Sequence, residues 1–529
     1  MQDKAHSKGF LDAVFVDLLR QMRLSFLPPL MVYFAAGCSG LTLIVGTFFV
    51  KEYLDFTAAY IAGLAFWAGL PWALKMPLGH LVDIIWRWKW VLVWLGAGCV
   101  AASVGIMYLV LTMTEMMQAV MPVSSWYITS FILAPCGLVL QDAVADAMSV
   151  EAVPLYDANG TEISPETSKS MHITMQALGR FALIGGTVAV ALLNIIMFSG
   201  VEDLSQTAKG QVYADVYFTA FLIPLISVSG VVLAGILKRT GRMNAAANEP
   251  SQTDVNWWYF IGGGIFVVLS LAIGLGQVPF GQEIIFAGSM IIVAFLMSQL
   301  VSVLEPAQAK ALIGTAVIIF FFRAIPTPGD GQKWFEIDIL GFDQQFQSVL
   351  SLITAVVTLA VIVLLRPVMA RRSIVWIVVV LSLLGGLLSL PNIGLYYGIQ
   401  GWTSAVTGGV VDARFIAVFD TALESPLGQV AMIPMLAWIA RNAPRHLKAT
   451  FFAVMASFTN LALSASSLGT KYLNEIYTIT REVREDGAVV TAANYSNLGV
   501  LLITVTVIAV VIPLCVVIFV QKTTFKSSD

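Results

Sequence analysis

Long apolar runs, separated by short stretches of charged and turn-forming residues, dominate this 529-residue sequence. A bilayer core about 30 Å thick is spanned by roughly 20 apolar residues of helix. Hydrophobic residues make up 58% of the chain and charged residues only 12%, which excludes a soluble enzyme. The sequence therefore predicts an all-α polytopic membrane protein with fourteen spans, at 29–50, 58–80, 90–111, 124–148, 172–198, 213–237, 257–276, 283–304, 309–325, 346–366, 373–391, 412–439, 449–470 and 498–520.

Basic residues are distributed unevenly between the loops on the two sides of these spans. An even number of spans places both termini on one side. If that side is the cytoplasm, cytoplasmic segments hold nineteen Lys and Arg residues, external segments hold six, and four lie within or at the edges of spans. Cytoplasmic loops carry an excess of such residues, so we expect both termini in the cytoplasm. No cleaved signal or transit peptide is evident, which favours a bacterial inner membrane.

The spans follow a 6 + 2 + 6 pattern, which predicts two six-helix bundles with an inserted hairpin between them. Repeated bundles are typical of secondary transporters, whose substrate site lies at the midplane between the halves. We expect the hairpin to pack peripherally. The predicted units are a cytoplasmic amphipathic segment 1–28, an N-terminal bundle 29–238, a cytoplasmic linker 239–256, a transmembrane hairpin 257–304, a C-terminal bundle 305–521 and a cytoplasmic tail 522–529.

Several chemical motifs are missing from the sequence. The four cysteines form no CxxC pair and the four histidines have no ligand spacing, so neither a disulfide framework nor a metal site is indicated. There is no GxxxxGK[ST], HExxH or GxSxG motif. The basic residues form no tract that suits nucleic acid. We therefore expect no cofactor, no enzymatic activity and no ATP-driven step.

Ionisable residues at membrane depth are costly unless they are paired or face water, so each is a functional candidate. Asp142 and Asp146 in span 4 are four residues apart and share one helix face. Two neighbouring carboxylates can share a proton. Arg180 in span 5, flanked by glycines that permit close helix packing, is the expected partner. The group either joins the two spans structurally or binds substrate and protons.

Four further charged residues are candidates for a central cavity. Arg323 follows three phenylalanines in span 9 and suits an anionic planar ligand, or it extends to the outer surface. Asp420 and Glu424 lie in span 12, which corresponds to span 4 of the first bundle, and we expect one of them to face the cavity. Lys75 lies between two prolines in span 2 and either faces the cavity or extends to the cytoplasmic surface.

The loop after span 2 contains Gly79, Asp83 and Arg87 at intervals of four. It resembles the signature loop of the major facilitator superfamily, without the second glycine. In physical terms, Gly79 would allow close helix approach, and Asp83 would pair with a basic residue in one conformation only. This predicts a conformational latch; the alternative is an ordinary charged turn.

Longer segments carry a more specific resemblance. They are LPWALKMPLG at 70–79, DAVADA at 142–147, FIAVFD at 415–420, IPML at 433–436 and APRHLKATFFA at 443–453. Together they resemble the folate–biopterin transporter family of the major facilitator superfamily, which is related to the muropeptide permeases and acetyl-CoA transporters.

The resemblance implies a major facilitator fold and a monomeric, proton-coupled importer of folates or pterins that works by alternating access. Its partners would be a small anionic substrate, protons and the lipid bilayer, with no nucleic acid. Asp142 or Asp146 would bind the ring or carry the proton, and Arg180 and Arg323 would meet the anionic tail. The alternatives are a muropeptide or acyl-CoA permease of the same fold and a non-transporting scaffold or pigment-delivery protein.

Overall fold

The computed structural model describes residues 22–154, 161, 163–241, 257–276, 278–302, 304–424, 448–485 and 488–526. Helices account for most of these residues, which confirms the all-α class. The first part of the described chain forms ten α-helices: α1 (Leu27–Cys38), α2 (Leu43–Tyr53), α3 (Ala58–Gly69), α4 (Lys75–Ile84), α5 (Trp90–Thr112), α6 (Thr114–Val120), α7 (Val123–Glu151), α8 (Pro165–Met197), α9 (Gln206–Ala220) and α10 (Leu222–Arg239).

The inserted hairpin and the second bundle follow. A short antiparallel strand pair, β1 (Val483–Glu485) and β2 (Ala488–Thr491), lies in the loop before the last helix. The helices are α11 (Trp257–Leu275), α12 (Gly281–Val301), α13 (Pro306–Arg323), α14 (Asp330–Asp338), α15 (Gln344–Arg371), α16 (Ile374–Leu388), α17 (Leu390–Tyr396), α18 (Ile399–Val406), α19 (Ala413–Glu424), α20 (Lys448–Ile476) and α21 (Leu498–Lys522).

Ten helical segments within the described residues are long and apolar enough to cross a membrane. They coincide with predicted spans 1 to 6, 9 to 11 and 14. The predicted hairpin corresponds to two shorter apolar helices, Phe260–Gly274 and Gly281–Phe295. Span 13 lies within α20, and span 12 begins in α19.

Some predicted segments lie wholly or partly outside the described residues. Predicted span 12 continues beyond Glu424, and the IPML motif and the first five residues of the APRHLKATFFA motif lie in that gap. The predicted units 1–28, 239–256 and 522–529 are described only in part. The proposed boundaries of these units remain predictions.

Small residues bring neighbouring helices of the first bundle close together. A Cβ atom on Gly137 of α7 would lie 2.9 Å from the Cβ of Cys99 on α5. A Cβ atom on Gly179 of α8 would lie 3.0 Å from the ring of Tyr33 on α1. Close approach of this kind is how membrane helices gain packing energy. It confirms the expected close packing beside Arg180.

Span 2 is bent at its centre. A 3-10 turn, Leu70–Leu74, separates α3 from α4 and has Pro71 in its first turn. Proline lacks the backbone N–H that a continuous α-helix requires, so the helix changes direction there. The second segment, α4, begins at Lys75 and packs against α7. The bend therefore places a lysine at the start of α4 beside span 4.

The inserted hairpin contacts both bundles, and much of its apolar surface is exposed: Trp258, Val268 and Ile291 are 80%, 65% and 70% exposed, which fits the expected peripheral position. Ile285 of α12 is buried in an apolar cluster with Phe66 of α3 and Leu468 of α20. Because α3 belongs to the first bundle and α20 to the second, the hairpin contacts both.

Candidate functional site

A charged cluster lies between α4 and α7 in the first bundle. Lys75 Nζ is 2.6 Å from Asp142 Oδ2 and 2.9 Å from Asp146 Oδ2. The spacing of four residues places both carboxylates on one face of α7, as the sequence predicts. One ammonium group therefore bridges two carboxylates, and we call these three residues the charged cluster.

Tyr33 adds a hydrogen bond from a third element. Its hydroxyl donates to Asp146 Oδ1 at 2.7 Å from α1. Ser149 lies one turn further along α7 and accepts a hydrogen bond from Gln176 of α8 at 3.2 Å. Three helices of the first bundle, α1, α4 and α8, thus contact the part of α7 that carries the two carboxylates.

Exposure differs between the two carboxylates. The side chain of Asp142 is 17% exposed and that of Asp146 is 47% exposed. With Lys75 protonated and both carboxylates ionised, the cluster carries a net charge of −1. Uptake of one proton makes it neutral and weakens the hold of the carboxylates on Lys75. The arrangement can therefore couple a proton to the availability of a fixed positive charge.

The predicted pairing of Arg180 with these carboxylates is wrong. Among the residues that the structure describes, Arg180 makes no ion pair, and its side chain is exposed. The long side chain of Lys75 reaches Asp142 and Asp146 instead, because the bend in span 2 brings it there. Arg180 still exerts an electrostatic effect on Asp142. It is a positive charge near the cluster.

Arg323 ends α13 in the second bundle. Its Nε and Nη1 atoms are buried, and neither has a hydrogen-bond partner within the described part of the chain. Burying such donors without partners costs free energy. The residue therefore has unused capacity to bind an anion, in line with the sequence-based expectation.

Asp420 lies in α19 and is only 4% exposed. Its Oδ2 accepts a hydrogen bond of 2.6 Å from Asn392 of α17. An amide N–H therefore donates to this carboxylate. Glu424 ends α19, and its side chain lies outside the described part of the structure. A cavity role for either residue remains a prediction.

The predicted latch residues lie at the end of α4 and just after it. A Cβ atom on Gly79 would meet nothing within 4 Å, so the expected close helix approach at Gly79 is wrong for this conformation. The side chains of Asp83 and Arg87 are exposed. Pairing of Asp83 in a second conformation remains a prediction.

A second charged cluster lies at the same end of the bundle. Glu151, at the end of α7, is 2.7 Å from Lys238 Nζ and 3.0 Å from Lys89 Nζ. Burial lowers the pKa of Lys89 to about 8, although the charge of Glu151 opposes this effect. Lys89 precedes α5 and Lys238 lies in the last turn of α10. This cluster ties the ends of three helices together.

The two bundles are joined directly on the side that the sequence predicts to be external, which we call the outer side. Lys51 pairs with Asp338 at 2.5 Å. Gln344 of α15 donates to the hydroxyl of Tyr213 on α9 at 2.8 Å. These contacts connect the first and second bundles across the molecule, so the outer side is closed in this conformation.

Arg481 makes the longest-range contacts of the outer side. It donates hydrogen bonds to the carbonyl oxygens of Lys51, at 2.8 Å, and of Leu54. Burial lowers the pKa of Arg481, and the charges of Asp55 and Asp338 oppose the effect. Sequence reasoning counted Arg481 only as an external charge, because nothing local connects it with the first loop 430 residues away.

Known proteins resemble this chain in sequence and in structure. A family model described as the BT1 family matches residues 36–528. A curated folate-biopterin transporter from Synechocystis sp. is 25% identical over 318 residues. That alignment spans 55% of this chain and 59% of the relative, so this chain matches less than two thirds of the relative's length.

Solved structures show the same fold. A POT family transporter in complex with 5-aminolevulinic acid superposes with a TM-score of 0.63 at 12% identity and covers 94% of this chain and 96% of the other. A mutant of the nucleoside transporter NupG gives a TM-score of 0.55 at 11% identity, with coverage of 94% and 98%. These similarities confirm the predicted major facilitator fold.

Proposed function

Since this chain belongs to the BT1 family, we propose that it is a proton-coupled transporter that imports an organic anion of the folate or pterin class by alternating access. The name of the Synechocystis relative supports this substrate class. The predicted bacterial inner membrane, cytoplasmic termini and monomeric state are part of the same proposal. The single observation that carries it is the charged cluster of Lys75, Asp142 and Asp146.

The net charge of the charged cluster gives a mechanism for coupling. At a net charge of −1 the cluster repels an anion, and Lys75 is occupied by two carboxylates. A proton taken up by Asp142 or Asp146 removes one negative charge. Lys75 can then attract a substrate carboxylate, so proton and anion bind together. An ionisable cluster inside membrane-spanning helices is also the usual mark of such a pathway.

Arg180 and Arg323 are suited to bind the anionic glutamate tail of a folate. A glutamate tail carries carboxylates, and guanidinium groups bind carboxylates through paired hydrogen bonds. Arg323 brings two buried donor atoms without partners in the described part of the chain. Arg180 lies on α8 close to the cluster. One arginine from each bundle would make substrate binding depend on the relative position of the bundles.

Alternating access requires the outer contacts to break and re-form. The Lys51–Asp338 pair and the Gln344–Tyr213 hydrogen bond each join the two bundles. Rocking of one bundle against the other would separate these residues and open the site to the outer side. The conformation described here has its outer side closed.

The decisive experiment is uptake of labelled folic acid by proteoliposomes with and without an inward proton gradient. We expect accumulation that depends on the gradient and that is lost in Lys75→Gln. The matched control is Lys333→Gln, which removes an exposed lysine that pairs with Asp330 one turn earlier. Uptake that is unchanged in Lys75→Gln would refute the coupling mechanism.

A panel of pterins, muropeptides and acyl-CoA distinguishes the substrate classes in the same vesicles. Gradient-driven uptake of one of these in place of folate would refute the folate class and leave the coupling mechanism in place. A scaffold protein predicts no uptake at all. It also predicts that neutralising Lys75 and Asp142 together leaves its cellular role intact.

A further inference from the structure

The inserted hairpin crosses the seam between the bundles, which we define as the contact between α3 of the first bundle and α20 of the second. Its second helix, α12, is attached to the second bundle. Glu283 Oε1 accepts hydrogen bonds from Lys471 Nζ at 3.1 Å and from Tyr472 Oη at 2.6 Å. Further along α12, Met297 is buried in the apolar cluster that contains Leu312 of α13.

The first helix of the hairpin, α11, is attached to the first bundle. The ring of Phe260 lies 5.6 Å from that of His80 on α4. A Cβ atom on Gly263 would lie 3.5 Å from the Cβ of Pro77. These contacts all lie on span 2. The helix α11 is therefore attached to the first bundle.

Two contacts close the hairpin across the outer part of the seam. Gln282 Nε2 donates to the carbonyl oxygen of Gly63 on α3 at 3.0 Å. Ile285 packs between Phe66 and Leu468, one from each bundle. Separation of the outer ends of α3 and α20 must break the first contact and open the second. The hairpin thus opposes opening of the outer side.

We propose that the hairpin α11–α12 is a clasp that stabilises the outer-closed conformation. The clasp rests on the proposed function only in that it requires the two bundles to rock. When the outer side opens, α12 moves with α20 through the Glu283 contacts and α11 stays on span 2. The turn between them absorbs the movement. It contains Phe280, whose φ of 57° lies in the left-handed region that non-glycine residues rarely adopt.

The test measures the distance between the outer ends of the bundles by electron paramagnetic resonance. Spin labels are placed through Val120→Cys and Val410→Cys in a cysteine-free background, since both side chains are well exposed and lie in different bundles. The clasp variant is Gln282→Ala combined with Glu283→Ala. We expect its population of long distances to rise about threefold or more, because the hydrogen bonds that hold α12 to both bundles are lost.

The matched control is Gln211→Ala, which removes a glutamine-to-carboxylate hydrogen bond of 3.0 Å to Asp215 within α9 and leaves the seam intact. Its distance distribution should equal that of the parent. An unchanged distribution in the clasp variant, in protein that elutes as a single folded species, would overturn the proposal. No substrate is added, so a failed folate assay does not affect the result.

A disulfide tests where α11 belongs. The Cβ separation of 3.5 Å between positions 263 and 77 suits a disulfide. In Gly263→Cys with Pro77→Cys, oxidation should leave the outer distances as they are in the reduced protein, because α11 moves with the first bundle. A shift of the distribution on oxidation would overturn the assignment of one hairpin helix to each bundle.

Discussion

The first and second bundles bury their charges in different ways. In the first, Lys75 bridges Asp142 and Asp146, and Asp146 is 47% exposed. In the second, Asp420 is 4% exposed and is held by the amide of Asn392. A carboxylate that is ion-paired and partly open can exchange a proton and a partner, whereas one enclosed beside an amide is better suited to positioning a helix. The comparison supports the proposal that coupling takes place in the first bundle.

The largest expected effect is that of Asp142→Asn in the first bundle. A carboxamide cannot take up the coupling proton, and it leaves the ion-pair network with one carboxylate fewer. We expect gradient-driven accumulation to be lost, so that uptake with the gradient falls to the level without it, because position 142 can no longer bind a proton together with the substrate. Uptake of labelled substrate by proteoliposomes measures this directly.

The control for that experiment is Asp215→Asn, which changes an exposed aspartate that accepts a hydrogen bond from Gln211. It should transport like the parent. Full gradient-driven accumulation in Asp142→Asn, with normal amounts of protein, would refute the proposal that proton coupling depends on Asp142.

Arg323→Gln tests the second bundle at a guanidinium whose Nε and Nη1 have no hydrogen-bond partner among the described residues. If this guanidinium meets a substrate carboxylate, the substitution should raise the KM for uptake about tenfold, because hydrogen bonds to charged groups contribute about 1.5–3 kcal/mol. Dependence on the proton gradient should persist. A loss of gradient dependence with an unchanged KM would contradict the division of roles between the bundles.

The control is Arg414→Gln in the same bundle. Arg414 is 47% exposed and pairs with Asp343 at 3.0 Å. We expect its uptake kinetics to match those of the parent. The control then shows that an effect of Arg323→Gln is specific to Arg323 and does not follow from the loss of an arginine as such.

The comparison between bundles also shows how far the sequence alone could go. The apolar runs predicted the spans, because bilayer thickness fixes helix length. The spacing of Asp142 and Asp146 predicted their common face. Their partner was not predictable, because it depends on the bend after Pro71 that brings Lys75 to α7. The sequence favoured Arg180 as the partner, because it lies in the next span. Only the three-dimensional path of span 2 decides between Arg180 and Lys75.

The contacts of the hairpin with the two bundles could not be predicted from the sequence either. An apolar pair of helices inserted between two bundles can lie in lipid or against protein, and its composition is the same in both cases. The polar residues Gln282 and Glu283 at the start of α12 were a local signal that this end contacts protein. The identity of their partners, Gly63 and Lys471, follows only from the fold.

A smaller effect is expected for Asp420→Asn. Asparagine keeps an acceptor oxygen for the Asn392 amide, so the local contact should survive at a cost of about 1 kcal/mol. Transport should stay within about twofold of the parent, and the melting temperature should fall slightly. Abolished transport in folded Asp420→Asn protein would break the comparison, since it would place a working carboxylate in each bundle.

The smallest effect on transport is expected for the cluster around Glu151, which sharpens the comparison within the first bundle between that cluster and the charged cluster. Burial lowers the pKa of Lys89 to about 8, from an ordinary value of 10.5 in the unfolded chain. Between these two values the folded protein has released a proton that the unfolded chain still binds. Stability contributed by this group therefore rises with pH across that window and is lowest below pH 8.

Lys89→Met should remove this dependence. The parent should gain stability relative to the variant as pH rises from 8 to 10, by at most roughly 3 kcal/mol, while Lys333→Met should follow the parent. Thermal unfolding in detergent at a series of pH values measures the difference. Proton-driven uptake should persist in Lys89→Met, because Lys238 still pairs with Glu151 at 2.7 Å. If uptake loses its gradient dependence instead, proton coupling extends beyond the charged cluster to the inner ends of α5, α7 and α10.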